Sequence, residues 1–104
     1  MKDDCIDMEK ARREELRWLI LKALYAAQPV GTSEGIILNA VSIVILDSTS
    51  LEVRRELDYL AERNLAQIVS REPAWFAKID WHGVDVVEYT VDCLPGIARP
   101  KKWW

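Results

Sequence analysis

Histidine occurs once in this chain, at His82, and cysteine twice, at Cys5 and Cys93, one near each end. Without a CxxC pair or a second histidine there is no ligand set for a structural zinc ion. Two distant thiols make no disulfide framework, so no metal and no cofactor is expected and the cysteines read as reduced, cytosolic thiols. A glycine-rich phosphate loop is missing, as is any carboxylate pair of defensible spacing. His82 follows Asp80 near the start of a short helix, where a solvent-facing or cap-side role is the common one. Cys93 has no basic neighbourhood to activate it. No catalytic residue is assigned, the chain is not read as an enzyme, and no small-molecule substrate is inferred. Positive charge is also scarce: the formal net charge is -3, which excludes a non-specific DNA coat, because phosphate neutralisation requires an excess of lysine and arginine. Long apolar runs are absent too. The longest, residues 36–46, is interrupted by Asn39 and Ser42 and is too short to span a bilayer. The start, Met1-Lys2-Asp3-Asp4, lacks the apolar stretch of a secretory signal. The expected setting is the cytoplasm of a bacterial host cell, with no membrane partner.

What is present suits an ordinary globular domain. Half of the 104 residues are hydrophobic and 30% are charged, and a chain of this size buries roughly two thirds of its unfolded surface. A single domain over residues 1–104 is expected, with a flexible N-terminus at 1–8 and an extended tail at 92–104.

Helical periodicity opens the chain. A first helix should begin near Asp4 to Asp7 and reach about Ala27, with Glu9 and Arg13 paired one turn apart. Leu16, Ile20, Ala23, Leu24 and Ala27 form one apolar stripe, and Trp18, Leu21 and Tyr25 form a second on nearly the opposite side. A helix apolar on two faces needs a cover for Trp18 and Tyr25. The breakers Pro29 and Gly31 end it, and Thr32 or Ser33 can cap the next helix. Residues 33–46 are rich in β-branched residues that favour strand, yet Ile37, Ala40, Val41 and Val44 recur at helical spacing, so helix is the preferred assignment over strand.

The most informative stretch is 47–79. Thr49-Ser50-Leu51-Glu52 fits a capping box, and Val53, Leu57, Leu60 and Asn64 follow at helical spacing as the inward face. Two short strands, 65–69 and 75–79, flank a polar turn holding Pro73. Asp80 then caps a short helix from about Trp81 to Tyr89, and Pro95, Gly96 and Pro100 keep the tail extended. The fold class is therefore α+β, a winged helix-turn-helix: three-helix core, β-hairpin wing, short C-terminal helix and extended tail. Any further strand between the first two helices cannot be placed from sequence.

The leucine-rich helix between Arg13 and Leu24 carries a resemblance, together with Val53-Arg54-Arg55-Glu56-Leu57-Asp58-Tyr59-Leu60 and Leu65, and the tail Leu94-Pro95-Gly96-Ile97-Ala98-Arg99-Pro100. Through these the chain, from about Arg13 to Pro100, resembles a family of small winged-helix proteins of Mu-like phages and prophages. The resemblance implies the fold, a cytoplasmic phage context and a DNA-binding role, and it brings no catalytic residues. The second helix departs from an ordinary winged helix in being more apolar.

Two functions follow as expectations. The first is a DNA-binding regulator or DNA-handling accessory that reads double-stranded DNA with the third helix, as a dimer presenting two such helices. Its candidate contacts are Ser50, Arg54, Arg55 and Tyr59 on the helix, Arg71 at the wing tip and Lys78 beside it. Residues 48–82 carry five basic and six acidic side chains, however, which leaves one net negative charge on the unit that would face phosphate. The alternative is a winged-helix protein–protein interaction module without DNA binding. In either case a homodimer is expected through the first helix, with Trp18, Leu21, Tyr25, Trp103 and Trp104 as interface residues, since tryptophan is enriched in binding hot spots. The alternative is that the tail folds back and its own indoles cover Trp18 and Tyr25.

Overall fold

The computed structural model describes residues 7–103. Cys5, most of the N-terminal stretch 1–8, and Trp104 among the expected interface residues lie outside the described residues. The fold is α+β: α1 (Met8–Ala26), β1 (Thr32–Ser33), α2 (Glu34–Ser42), α3 (Ser50–Glu62), β2 (Ala66–Ser70), β3 (Phe76–Ile79) and α4 (Trp81–Val87). The three strands form one antiparallel sheet in the order β1-β3-β2. Four helices with a small three-stranded sheet are compatible with a winged-helix-like arrangement.

Local chemistry accounts for most boundaries. Asp7 caps α1 by accepting from the Lys10 amide, and Met8 already lies in the first turn, so the helix begins inside the stretch expected to be flexible. Ser33 caps α2, and Thr49 caps α3 with the reciprocal Glu52 bond of a true capping box. The β1 strand is seated by tertiary contacts. The Glu34 amide donates to the Trp75 carbonyl at 2.8 Å, and Gly31, at φ +95°, lets the chain pass so close to β3 that a Cβ there would lie 2.4 Å from the Ala77 carbonyl oxygen.

Three details correct the sequence reading. The second helix stops at Ser42, not near residue 46: the Val44 and Ile45 amides both turn back to the Val41 carbonyl, where three consecutive β-branched residues (Ile43, Val44, Ile45) disfavour another helical turn. Asn64 is exposed at φ +61°, just past the end of α3, and Leu65 takes the buried place instead. Arg13 bonds Glu56 on α3 at 2.9 Å and not Glu9, while Lys10 forms the one-turn pair with Glu14.

The core lies where α1, α2 and α3 meet the sheet. Leu16, Ile20 and Leu24 of α1, Ile37 and Val41 of α2, and Val53, Leu57 and Leu60 of α3 are all fully buried, each contributing about 1.5–3 kcal/mol by leaving water. Among the described residues no buried side-chain polar atom lacks a hydrogen-bond partner.

The second apolar stripe of α1 is covered by the chain itself. Trp18 is only 6% exposed and Leu21 not at all. The Tyr89 ring meets Trp18 edge-on at 6.4 Å, and the Tyr25 hydroxyl donates to Glu88 just beyond α4. The tail then runs back over α1. Arg17 donates to the Gly96 carbonyl at 2.8 Å, the Ala98 amide donates to Glu14, and Arg99 donates to the carbonyls of Val86 and Val91. Ile97 is buried in the same cluster. Gly96 makes the approach possible: its φ is +107°, and a Cβ would stand 2.2 Å from the Tyr59 hydroxyl. Trp18 and Leu21 thus need no second copy to be buried, which corrects their assignment to an oligomer interface. Tyr25 is half-buried against Glu88, and Trp103 is exposed.

Candidate interaction site

The outward residues of α3 and the hairpin were the expected DNA contacts, and the structure brings three of the six to carboxylates. Arg54 holds Glu34 of α2 through two of its nitrogens, Nη2 donating at 2.8 Å. Glu34 also accepts from the Trp75 amide, so one carboxylate ties α2, α3 and the start of β3 together. The hydrogen bond from Arg54 holds the Glu34 carboxyl below its ordinary range, and the same bond raises the guanidinium. Arg71 at the hairpin tip donates to Asp58 of α3 at 3.0 Å, and its guanidinium lies over the Trp75 ring at 4.2 Å. Arg55 donates to Glu56 at 3.1 Å.

Tyr59 does not face the hairpin. Arg17 and Arg63 sit over its ring, each 3.6 Å from the centroid, and its hydroxyl adjoins Gly96 of the tail. Ser50 is exposed in the first turn of α3. Lys78 is half-buried opposite Gln67 and has no carboxylate partner among the described residues. Of the six expected contacts, then, the three arginines are ion-paired and the tyrosine packs against α1 and the tail.

Behind α3 lies the most heavily charged buried point of the fold. Glu56 is fully buried and accepts from Arg17 at 2.8 Å, Arg13 at 2.9 Å and Arg55. Burial pushes this carboxyl up, but the bonds from Arg17 and Arg13 outweigh it and hold it below its ordinary range. Arg12 similarly bridges Asp47 at 2.9 Å and Glu52 at 2.8 Å, which lowers the Glu52 carboxyl and fixes the turn between α2 and α3 against α1.

That turn is what charge counting overlooked. Ile43 is 79% exposed and Leu46 is 84% exposed, with Val44 between them and Met8 of α1 alongside. Met8, Ala11, Arg12, Glu15, Val44, Ile45, Leu46 and Asp47 line an open groove of about 560 Å3. Ile36 on α2 and Ile43 at its C-cap are both exposed and, seven residues apart in helical backbone, share a face with Ala40 between them. Leu51, at the start of α3, is exposed as well. The sequence held the signal: residues 35–46 contain no charged side chain, yet the core uses only part of that run. Large exposed apolar patches on globular proteins are the usual form of an interaction surface.

No group of three His, Cys, Asp or Glu side chains among the described residues could hold a metal ion. Burial pushes the half-buried Cys93 thiol up, away from the reactive thiolate. No helix among the described residues is long and apolar enough to cross a membrane. No family model, curated protein or solved structure matches the chain.

Proposed function

We propose that this chain is a winged-helix protein-interaction module, with α3 in the position of a reading helix and the β2–β3 hairpin as the wing. The helix and strand order and the β1-β3-β2 sheet support the winged-helix reading. The observation that carries the functional part is the apolar turn leading into α3: Ile43, Val44 and Leu46 stand exposed where a DNA reader would present donors to phosphate. The arginines beside it are engaged by Glu34, Glu56 and Asp58. A duplex would have to displace carboxylates that are themselves fixed by neighbouring elements, and it would bring apolar side chains against a hydrated phosphate backbone. The setting we infer is the one the resemblance suggests, a phage or prophage protein working in a bacterial host.

Fluorescence anisotropy with a labelled mixed duplex tests the choice. The expected result is no saturable binding even at low salt. Binding that weakens steeply as salt rises, and that Arg54→Ala with Arg55→Ala abolishes, would return the DNA reading. A photo-crosslinking side chain introduced at Leu46 should give adducts that protease removes and nuclease leaves intact.

A further inference from the structure

We propose that the partner at the α2–α3 edge is a second copy of this chain, docked face to face about a two-fold axis. The inference rests on the protein-interaction reading of that edge and adds the identity of the occupant.

Area is the first argument. Met8, Ile36, Ile43, Val44 and Leu46 are each more than half exposed. Together they present on the order of 700 Å2, close to the roughly 800 Å2 that each partner contributes to a standard stable interface. The patch is therefore of the size a dimer needs once the residues bordering it are covered as well.

Charge is the second argument, and it bears on symmetry. Around a two-fold axis each residue meets its own mate or a near neighbour of it, so a charged residue at the centre would repel itself. Residues 35–46 carry no charge at all. Charges of both signs stand beside this run: Arg12, Glu15 and Asp47 line the groove between it and α1, with Arg12 paired to Asp47 and Glu52. An uncharged run flanked by charges of both signs is complementary to itself. A surface shaped for a strongly acidic or strongly basic partner would carry the opposite sign in excess.

Shape is the third. Ala40 lies midway between Ile36 and Ile43 on the exposed face of α2. A small side chain there lets two α2 helices approach closely while the flanking isoleucines interlock. The apolar surface around Trp18 is closed by α4 and the tail and is not open to a second copy.

Sedimentation velocity over a wide concentration range is the test, comparing the wild type with Ile43→Glu/Leu46→Glu. Both side chains are exposed, so the variant should keep the wild-type circular dichroism. The expected result is a wild-type dimer whose association weakens by roughly 100-fold or more in the variant, because each substitution acts twice across the axis. Should the double variant fail to fold, Leu46→Gln keeps the volume and reads the same contact. A control substitution, Val69→Glu, alters an exposed apolar residue on β2 and should leave the dimer intact. A wild type that stays monomeric, or a dimer that survives substitution at Leu46, overturns the proposal. If the wild type is monomeric while crosslinking at Leu46 still yields a foreign protein adduct that Ile43→Glu removes, the interaction reading stands and only the self-copy is wrong. Absence of both dimer and adduct removes both.

Discussion

Two faces of this molecule begin with the same surplus of apolar side chains and end differently. On the face where α1 meets α4 and the tail, Trp18, Leu21 and Ile97 are sealed by a strap that Arg17, Arg99 and Tyr89 hold in place. On the edge where α2 turns into α3, Ile43, Val44 and Leu46 stand open. Beneath the strap, arginines converge on a buried carboxylate. At the edge, the arginine Arg12 reaches sideways to Asp47 and Glu52 and leaves the apolar centre uncovered. An apolar stripe in a sequence thus marks a debt of burial without saying whether the chain or a partner meets it. The side chains that direct the strap decide the matter, and those act across tens of residues.

The comparison breaks most severely at Glu56. Replacing it by alanine removes the one acceptor shared by Arg13, Arg17 and Arg55. Arg13 and Arg55 are partly exposed and can turn to water, but Arg17 is nearly buried beneath the tail. A loss of about 3 kcal/mol is expected, within the range for stripping one partner from a buried ion pair. Urea unfolding should show it as a lowered midpoint at unchanged slope. A midpoint like that of the wild type would mean that the covered face does not depend on this cluster.

A smaller and graded effect is expected from acid. The carboxyls of Glu34, Glu52 and Glu56 are held below their ordinary range, the first two chiefly by hydrogen bonds from Arg54 and Arg12, the third by Arg17 and Arg13 against the upward push of burial. A folded-state value below the unfolded one contributes stability that is complete above the unfolded range, near pH 4.3 for glutamate, and is lost as pH falls toward the folded values. Unfolding free energy should therefore be flat with respect to these three groups above about pH 5 and fall steadily below about pH 4. Proton uptake on unfolding, measured by calorimetry in buffers of different ionisation heat, checks the sign. Glu34→Gln should remove part of the slope while leaving the strap intact, because Glu34 ties α2 to α3 and β3 and not the tail to α1.

How much of this was readable beforehand follows from range. The Thr49–Glu52 capping box, the Asp80 cap and the hairpin were legible because each is decided within a few residues. The strand β1 was not, since two residues become a strand only through Ala77 and Phe76 more than forty positions away. The end of α2 was overrun because the apolar run through Leu46 continues the helical spacing after the β-branched residues have stopped the helix. At the site, Arg54, Arg55 and Arg71 could be placed on the outside of α3 and the hairpin from spacing alone. Their neutralisation could not, because Glu34 lies twenty residues from Arg54 and Asp58 thirteen from Arg71. The count of five cations against six anions pointed in the right direction without naming a pair. The apolar run at 36–46 is too short to span a bilayer, and its surplus over the needs of the core is the more informative property.

The smallest expected effect sharpens the comparison most, and it lies at Leu46. In a dilute, monomeric sample Leu46→Ser changes a side chain already 84% exposed, so stability should move by no more than about 0.5 kcal/mol. In a concentrated sample the wild type should gain from self-association, because binding that the folded state makes and the unfolded state lacks adds stability by mass action. The variant should lack that gain. The melting temperatures of the two proteins are thus expected to coincide at low concentration and to separate progressively as concentration rises, with the wild type higher. A gap already present at high dilution would place Leu46 in the fold of a single chain. Two curves that remain together at every concentration would leave the open edge without a second copy to cover it, whereas Glu56→Ala should show its deficit at all concentrations alike.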